Sequence, residues 1–439
     1  MKLNRIFACM ALAGLTTSAF ATDGYFSHGY GMKAAGMGGA ATATAEDAFG
    51  GANNPASMAF VGNRIDLGAT LFNPNRKAER SGSFPPFDMK VESDSDYFVI
   101  PEFAMSWQFS PTWSAGVSVY GNGGMNTNYP GGQIPPGACA GFGNPGPGNM
   151  LCGSGSMGVD LMQLVIAPTL AYKITPNHAI GITPLLGYER FKAEGIQDFA
   201  GFSTSPANVS NNGYDDSFGY GVRVGYQGRI TPTVTIGAAY SSKMNFDELS
   251  NYKGLFAQQG DFDIPENYNL GVAWQATPQL LFALDYQRIN YSGVASIGNP
   301  MSNLGGCPAL GGADPSSCLG GNNGAGFGWD DINVWKLGVE YKYNQAWTFR
   351  AGWNHTDNPI TSPNVTFNIL APGVVQDHAT LGLTYTFASG NELTAMYMHA
   401  FENSVTGPSF LQNFGFPPTT QEEISMNQNA LGVSYSWKM

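Results

Sequence analysis

Period-two alternation of apolar with small or polar residues recurs down most of the chain and constrains the fold more than any other feature. Between Trp335 and Tyr343, Trp335, Leu337, Val339, Tyr341 and Tyr343 fall on one side, with Lys336, Gly338, Glu340 and Lys342 on the other. From Ala379 to Phe387, Leu381, Leu383, Tyr385 and Phe387 oppose Thr380, Gly382, Thr384 and Thr386. Near the end, Leu431, Val433, Tyr435 and Trp437 oppose Gly432, Ser434, Ser436 and Lys438. Only an extended backbone sends successive side chains to opposite faces, so these are strands with one apolar side. Similar runs occupy 65–72, 113–120, 220–227, 234–241, 268–275, 280–287 and 347–354.

Tight turns join the strands in pairs. They fall at Ser110-Pro111-Thr112, Thr175-Pro176-Asn177, Thr231-Pro232-Thr233, Thr277-Pro278-Gln279, Asn344-Gln345-Ala346 and Ser389-Gly390-Asn391. Proline fixes φ and cannot donate to a ladder, so the first four mark strand ends. Six turns flank twelve strands, and one further strand before and after makes fourteen. The other connections are long: 74–94, 121–157, 195–216, 247–265, 291–331, 354–378 and 401–428. An even strand number, with short turns at one end and long loops at the other, describes an all-β, fourteen-stranded antiparallel transmembrane β-barrel. A secreted β-sandwich would not line one face of every strand with Leu, Val, Tyr and Trp.

Composition removes other classes. Charged residues are 12% of the chain, about half the share usual in globular domains. The 58 glycines and 27 prolines exclude a helical protein, and 13% aromatic content excludes disorder. A net charge of −12 argues against nucleic-acid binding. No mature stretch of 18 consecutive apolar residues exists to form a transmembrane helix.

Residues 1–21 read as a signal peptide. Lys2 and Arg5 precede the apolar run from Ile6 to Leu15, and Ala19-Phe20-Ala21 forms a small-x-small site with cleavage after Ala21. Export leads to an oxidising compartment, so Cys139 with Cys152 and Cys307 with Cys318 are expected as local extracellular disulfides. Zinc fits less well, because the spacings are long and no His is near. Residues 22–63 lack long alternation and are rich in Gly and Ala, as suits a plug packed inside the barrel of 64–439.

Three strands are apolar on both faces. Met162, Leu164 and Ile166 alternate with Leu161 and Val165; Ile180 and Ile182 with Ala179, Gly181 and Leu185; Leu393, Ala395 and Tyr397 with Met396 and Met398. One face meets lipid, so the other brings apolar side chains into the lumen. The expected pocket lining is Met162, Leu164, Ile166, Leu185, Met396 and Met398, unless these pack against the plug. Methionine suits a pocket for varied apolar ligands.

The segment from Gly36-Met37-Gly38-Gly39-Ala40 through Glu46-Asp47-Ala48 to Asn53-Asn54-Pro55-Ala56 resembles the N-terminal hatch of the FadL family. Trp347-Thr348-Phe349-Arg350-Ala351-Gly352, followed by Asp357-Asn358-Pro359, resembles a second family stretch. The resemblance runs from the hatch to the last strand. It implies passive uptake of long-chain fatty acids or aromatic or aliphatic hydrocarbons across a Gram-negative outer membrane. It also implies lateral release through a kink in the third strand, held by Asn54, Pro55 and Ala56. By position the kink falls on Gly121, Gly123 and Gly124, where glycines weaken a ladder. Basic residues that meet a fatty-acid carboxylate in the family have no firm match; the candidates are Arg190, Lys192, Arg223, Arg288 and Arg350, which could equally form a lumen salt-bridge network. The chain also ends in Trp437-Lys438-Met439 rather than a terminal aromatic.

Two other functions compete. A selective porin for polar solutes would need a polar lumen along strands four, five and thirteen. A lipid-modifying enzyme would need a nucleophile beside a histidine, and His399 is the one candidate. No G-x-S-x-G, H-E-x-x-H or Walker A pattern occurs. The G-x-G-x-x-G of Gly153, Gly155 and Gly158 lacks the strand-then-helix setting that gives it meaning. No catalytic residue, metal or cofactor is expected. The expected partners are a hydrophobic small molecule, outer-membrane lipid and lipopolysaccharide, which Asp215-Asp216 and Asp330-Asp331 could meet through divalent ions; the chain is expected to act as a monomer.

Overall fold

The computed structural model describes residues 22–439, so the expected signal peptide lies outside the described residues. Sixteen strand segments form one antiparallel sheet whose last strand pairs back onto the first. Met89–Glu92 folds back on the strand Arg64–Ser81, and Asn245–Phe246 extends the line of Val234–Ser241 along Asp215–Thr231. Counting these two as extensions leaves fourteen wall strands. They are β1 Arg64–Ser81, β2 Phe98–Gln108, β3 Trp113–Asn126, β4 Gly158–Thr175, β5 His178–Glu194, β6 Asp215–Thr231 and β7 Val234–Ser241. The second half comprises β8 Asn267–Gln275, β9 Leu280–Ile289, β10 Ile332–Lys342, β11 Trp347–Thr356, β12 Asp377–Thr386, β13 Glu392–Pro408 and β14 Gln421–Lys438. The seam closes over its full length, from Arg64 opposite Lys438 to Ser81 opposite Gln421.

Each of the six tight turns joins consecutive strands at the expected place. Alternation sorts the faces. Leu67, Ile182, Leu186, Val224, Leu270, Leu337 and Leu431 are exposed on the outside, while residues between them are buried. Several long connections are shorter than expected, because β1 runs to Ser81, β3 to Asn126 and β13 to Pro408, and β14 begins at Gln421. These extensions rise beyond the apolar belt. There Lys77 pairs with Glu92 at 3.6 Å and Lys90 with Glu79 at 3.4 Å, so the apolar pattern lapses while the backbone ladder continues.

Residues from Thr22 to Asn63 contribute no wall strand. They form short helical turns, Met32–Ala35, Phe49–Gly51 and Pro55–Ala59, and bond to inward side chains around the ring. Asp285 of β9 accepts from the N–H groups of Ala41 at 2.8 Å and Thr42 at 2.7 Å. Asp66 of β1 accepts from Ala48 at 2.8 Å, and Thr380 of β12 from Gly38 at 2.9 Å. Lys33 pairs with Glu392 of β13 at 2.7 Å, and Glu392 also meets Arg64 and Lys438. Strands so far apart on the ring reach one segment only if it lies inside them. The inward charges thereby find partners, which a buried charge requires.

Asp285→Ala removes one carboxylate and strands two buried N–H groups. It is expected to lower stability by about 2–4 kcal/mol and to raise amide exchange across 38–44, with the wall strands unaffected; hydrogen–deuterium exchange in detergent checks this.

Candidate functional site

The ladder between β4 and β5 skips three residues on each strand, and that between β2 and β3 ends early. Pairing between β2 and β3 runs from Gln108 opposite Ser114 to Phe103 opposite Val119 and stops. The rest of β2, Phe98 to Glu102, stays bonded to β1 alone, and the rest of β3 stays bonded to β4 as far as Asn126 opposite Asp160. The β3–β4 register slips between Gly121 and Gly123, leaving Asn122 as the extra residue of a bulge. From Ser118 to Met125 every residue is buried, without alternation, because the strand leans into the barrel. The result is a gap in the ladder between β2 and β3.

The N-terminal residues meet this bend from inside. Phe26 forms a bridge with Gly123, and Ser27 N–H donates to the Asn122 carbonyl at 3.1 Å. Gly124 N–H donates to the Tyr25 carbonyl at 3.3 Å, and Tyr30 hydroxyl donates to the Asn122 carbonyl at 3.0 Å. A Cβ on Gly123 would overlap the Tyr25 carbonyl oxygen, so this contact requires glycine. Gly121, Gly123 and Gly124 thus stand in the bend, but Asn54, Pro55 and Ala56 do not hold it. Those three pack on β5 and β6, where Gly181 and Gly225 leave room for them. Asn54 caps its own turn, accepting from Ala56 N–H at 3.1 Å and donating to the carbonyls of Thr42 at 2.7 Å and Tyr226 at 2.9 Å. Asn-Pro is a helix-start signal with a local cause; it does not encode where the turn docks.

Two cavities approach the bend. The lower, about 20 Å³, is lined by Tyr25, Phe72, Arg76, Gly124, Trp329 and Met426. Tyr291 hydroxyl accepts from Tyr25 N–H at 3.2 Å and donates to the Asp23 carbonyl at 2.6 Å, fixing the start of the segment beside it. The upper cavity, about 40 Å³, lies among the long loops; Phe191, Phe199, Phe256, Phe327, Phe367 and Leu370 line it, and no charged side chain does. Leu370 in the upper cavity leads directly to Ala371 and Gly373 in the lower. Outward, phenyl rings continue from Phe199 to Phe410 at 6.0 Å, Phe414 at 5.4 Å and Phe142 at 5.3 Å. They end beside Phe416 and the exposed Phe84, stacked at 4.6 Å. The Cys139–Cys152 disulfide packs among these rings, and Cys307–Cys318 closes the loop before β10. A larger concavity of about 790 Å³, between Trp113 and Tyr268, faces outward on the wall and is not part of this path.

Several expected site residues lie elsewhere. Met162, Leu164 and Ile166 share the outer face of β4 with the exposed Leu170, while Leu161, Gln163 and Val165 point inward. With both faces apolar, alternation cannot say which one is out. Leu185, Met396 and Met398 are inward and buried, in the core rather than lining either cavity. Arg190 lies on the outer side, 3.9 Å over the Tyr214 ring and 3.6 Å from Asp216; Lys192 pairs with Glu194 at 3.0 Å and Arg288 with Asp331 at 3.0 Å. Arg223 donates to the Gly51 carbonyl at 3.1 Å, and Arg350 pairs with Glu340 at 2.6 Å and reaches Glu46 at 3.6 Å. Of the five, these two serve the N-terminal segment, and none lines either cavity. His399 bonds to Asn429 at 2.9 Å. Of the residues that line the two cavities, Tyr25, Phe199, Phe367 and Trp329 sit outside the alternating strands; for the two phenylalanines the one sequence signal is the concentration of that residue in Gly- and Pro-rich loops.

Tyr291→Phe leaves Tyr25 N–H unpaired and the Asp23 carbonyl with only the Phe26 N–H at 3.3 Å. A loss of about 1–3 kcal/mol and faster exchange over 22–27 are expected, with wall exchange unchanged.

Comparison with known proteins supports the same architecture. The model for the family described as outer membrane protein transport protein (OMPP1/FadL/TodX) matches residues 9–436. The crystal structure of the P. putida toluene transporter TodX is 19% identical, with a TM-score of 0.65, covering 94% of this chain and 99% of that one. The Ralstonia pickettii toluene transporter TbuX is 16% identical with a TM-score of 0.61, and a Pseudomonas aeruginosa FadL homologue 14% with 0.67; each covers 94% of this chain and 99% of its own. No curated protein sequence matches the chain. A closed fourteen-stranded wall, its interruption at β3 and a family match over nearly the whole length place this chain in the OMPP1/FadL/TodX family of outer-membrane transport proteins.

Proposed function

We propose that the protein is an outer-membrane channel that takes up neutral hydrophobic molecules and releases them sideways into the bilayer between β2 and β3. The observation that carries this reading is the halt of the β2–β3 ladder at Phe103 and Val119. An open strand edge at membrane depth is unfavourable unless it lines a path or is covered from within.

Cargo adsorbs on the outer Phe rings, follows them to the upper cavity and passes Leu370–Gly373 to the lower one. Burial contributes about 25 cal/mol per Å² of apolar area without any ion pair. Release into the periplasm would forfeit that energy, and residues 22–63 act as a hatch across the direct route. The opening lets cargo stay in apolar surroundings throughout. An apolar cavity of roughly 150 Å³ holds a benzene ring, so the Phe side chains around the 40 Å³ cavity part to admit cargo.

A neutral cargo is favoured over a fatty acid. The upper cavity has no basic group, and Arg76 beside the lower one already donates to the Asn126 carbonyl at 2.6 Å and to Ser93 at 3.2 Å. The toluene transporters among the fold neighbours agree with this preference. In this reading the signal peptide is cleaved after Ala21, the apolar belt meets lipid, the loop tips meet lipopolysaccharide, and one chain suffices.

Uptake of toluene and of oleate, measured in cells lacking their own channels, tests both parts. Toluene uptake is expected, and Gly123→Val should abolish it while leaving a heat-modifiable, assembled barrel. Wild-type uptake by assembled Gly123→Val would overturn lateral release; efficient oleate uptake would overturn the neutral preference.

A further inference from the structure

The bulge residue carries a second set of contacts that neither closes the barrel nor lines a cavity. Asn122 Nδ2 donates to Gln163 Oε1 at 3.2 Å, and Gln163 Nε2 donates to Glu189 Oε2 at 2.7 Å. The three side chains lie in one row across β3, β4 and β5: Gly123 is in register with Gln163, and Gln163 with Glu189. All three are buried. Their neighbours along the strands are apolar or glycine: Leu161 and Val165 on β4, Gly187 and Phe191 on β5, while buried Ser217 of β6 stands opposite Glu189. Glu189 has no cation among the described residues, and its Oε1 has no hydrogen-bond partner. A buried carboxylate held by a single amide is costly, and packing alone would favour an apolar residue at both positions.

We propose that Asn122, Gln163 and Glu189 are positioning residues of the lateral opening, a polar relay that draws the bulge inward and holds β3 off β2. Asn122 is the point where the parts meet, because its carbonyl also accepts from Ser27 and Tyr30 of the N-terminal segment. Gln163 orients the Asn122 amide toward the lumen, and Glu189 fixes which end of the Gln163 amide faces Asn122 by accepting its N–H. Without the relay, Asn122 has no inward anchor from the wall. Residues 120–126 are then free to straighten toward the unpaired Phe98–Glu102 stretch and narrow the gap. The hatch reaches the Asn122 side chain only through the Tyr30 hydroxyl, which donates to Oδ1 at 3.3 Å, and its other bonds here are to the backbone of 122–124, so the relay is the wall's own hold on the amide.

This inference rests on lateral release, and the experiment separates the two. Gln163→Leu breaks both relay bonds, whereas Glu189→Gln keeps a carbonyl that accepts from Gln163. In assembled barrels, Gln163→Leu is expected to lower toluene uptake about fivefold or more, as loss of a buried hydrogen bond implies. Amide exchange over 98–103 should slow in the same variant as the strands re-pair, with toluene affinity in detergent unchanged. Glu189→Gln should keep near-native uptake and exchange. If Gln163→Leu fails to assemble, Gln163→Met, closer in length, carries the same test. Native uptake by the Gln163 variant overturns the relay, as does lost uptake with unchanged exchange over 98–103. Gly123→Val is the reference: inactive Gly123→Val with a normal Gln163 variant defeats the relay alone, and normal Gly123→Val defeats lateral release and the relay together.

Discussion

A strand wall in lipid has no water to satisfy its backbone, so every N–H and C=O must find a partner within the protein. The seam between β1 and β14, eighteen register pairs long, meets that requirement completely. The rest of the molecule is organised around the place where the requirement is not met by a neighbouring strand. At the β3 bend the missing partners come from inside, from the carbonyl of Tyr25, the N–H of Ser27 and the hydroxyl of Tyr30.

The inner charges follow from the same constraint. A lumen arginine or aspartate in a family of apolar-cargo channels looks out of place until its partner is named. Asp285, Asp66, Glu392 and Arg350 bind backbone or side chains of residues 33–48, and they lie at the level where the N-terminal segment crosses the barrel. Above that level the lumen becomes aromatic and methionine-rich. The ionic anchors of the N-terminal segment thus lie below, while above them aromatic and methionine side chains surround the buried Arg80–Glu422 pair.

Aromatic residues divide by chemistry as well. Trp and Tyr dominate the outer face near the strand ends, for instance Trp107, Trp335, Tyr341, Trp347 and Trp437, where one edge of the ring is wet. The passage from Phe84 to the upper cavity is built from phenylalanine, which offers no hydroxyl or indole N–H to hydrogen-bond a cargo.

The strand number, the six tight turns and the two cysteine pairs were legible in the sequence because each has a local cause: a two-residue period, a proline or glycine at a turn, and cysteines separated by only 13 and 11 positions. The bend at Gly121–Gly124 was reached through the family resemblance, since glycines at that point suit the start of a loop equally well. The orientation of β4 was not legible, since a strand apolar on both faces carries no inward signal, and Met162 and Leu164 consequently lie outside. Nor could local chemistry say that Asn54-Pro55-Ala56 docks on β5 and β6 while Tyr25 holds the bend. That choice pairs residues far apart in the chain, and it is made by which backbone groups the closed barrel leaves unsatisfied. Sequence determined the barrel; only the closed wall decided which of its backbone groups lack a strand partner and which N-terminal residues meet them.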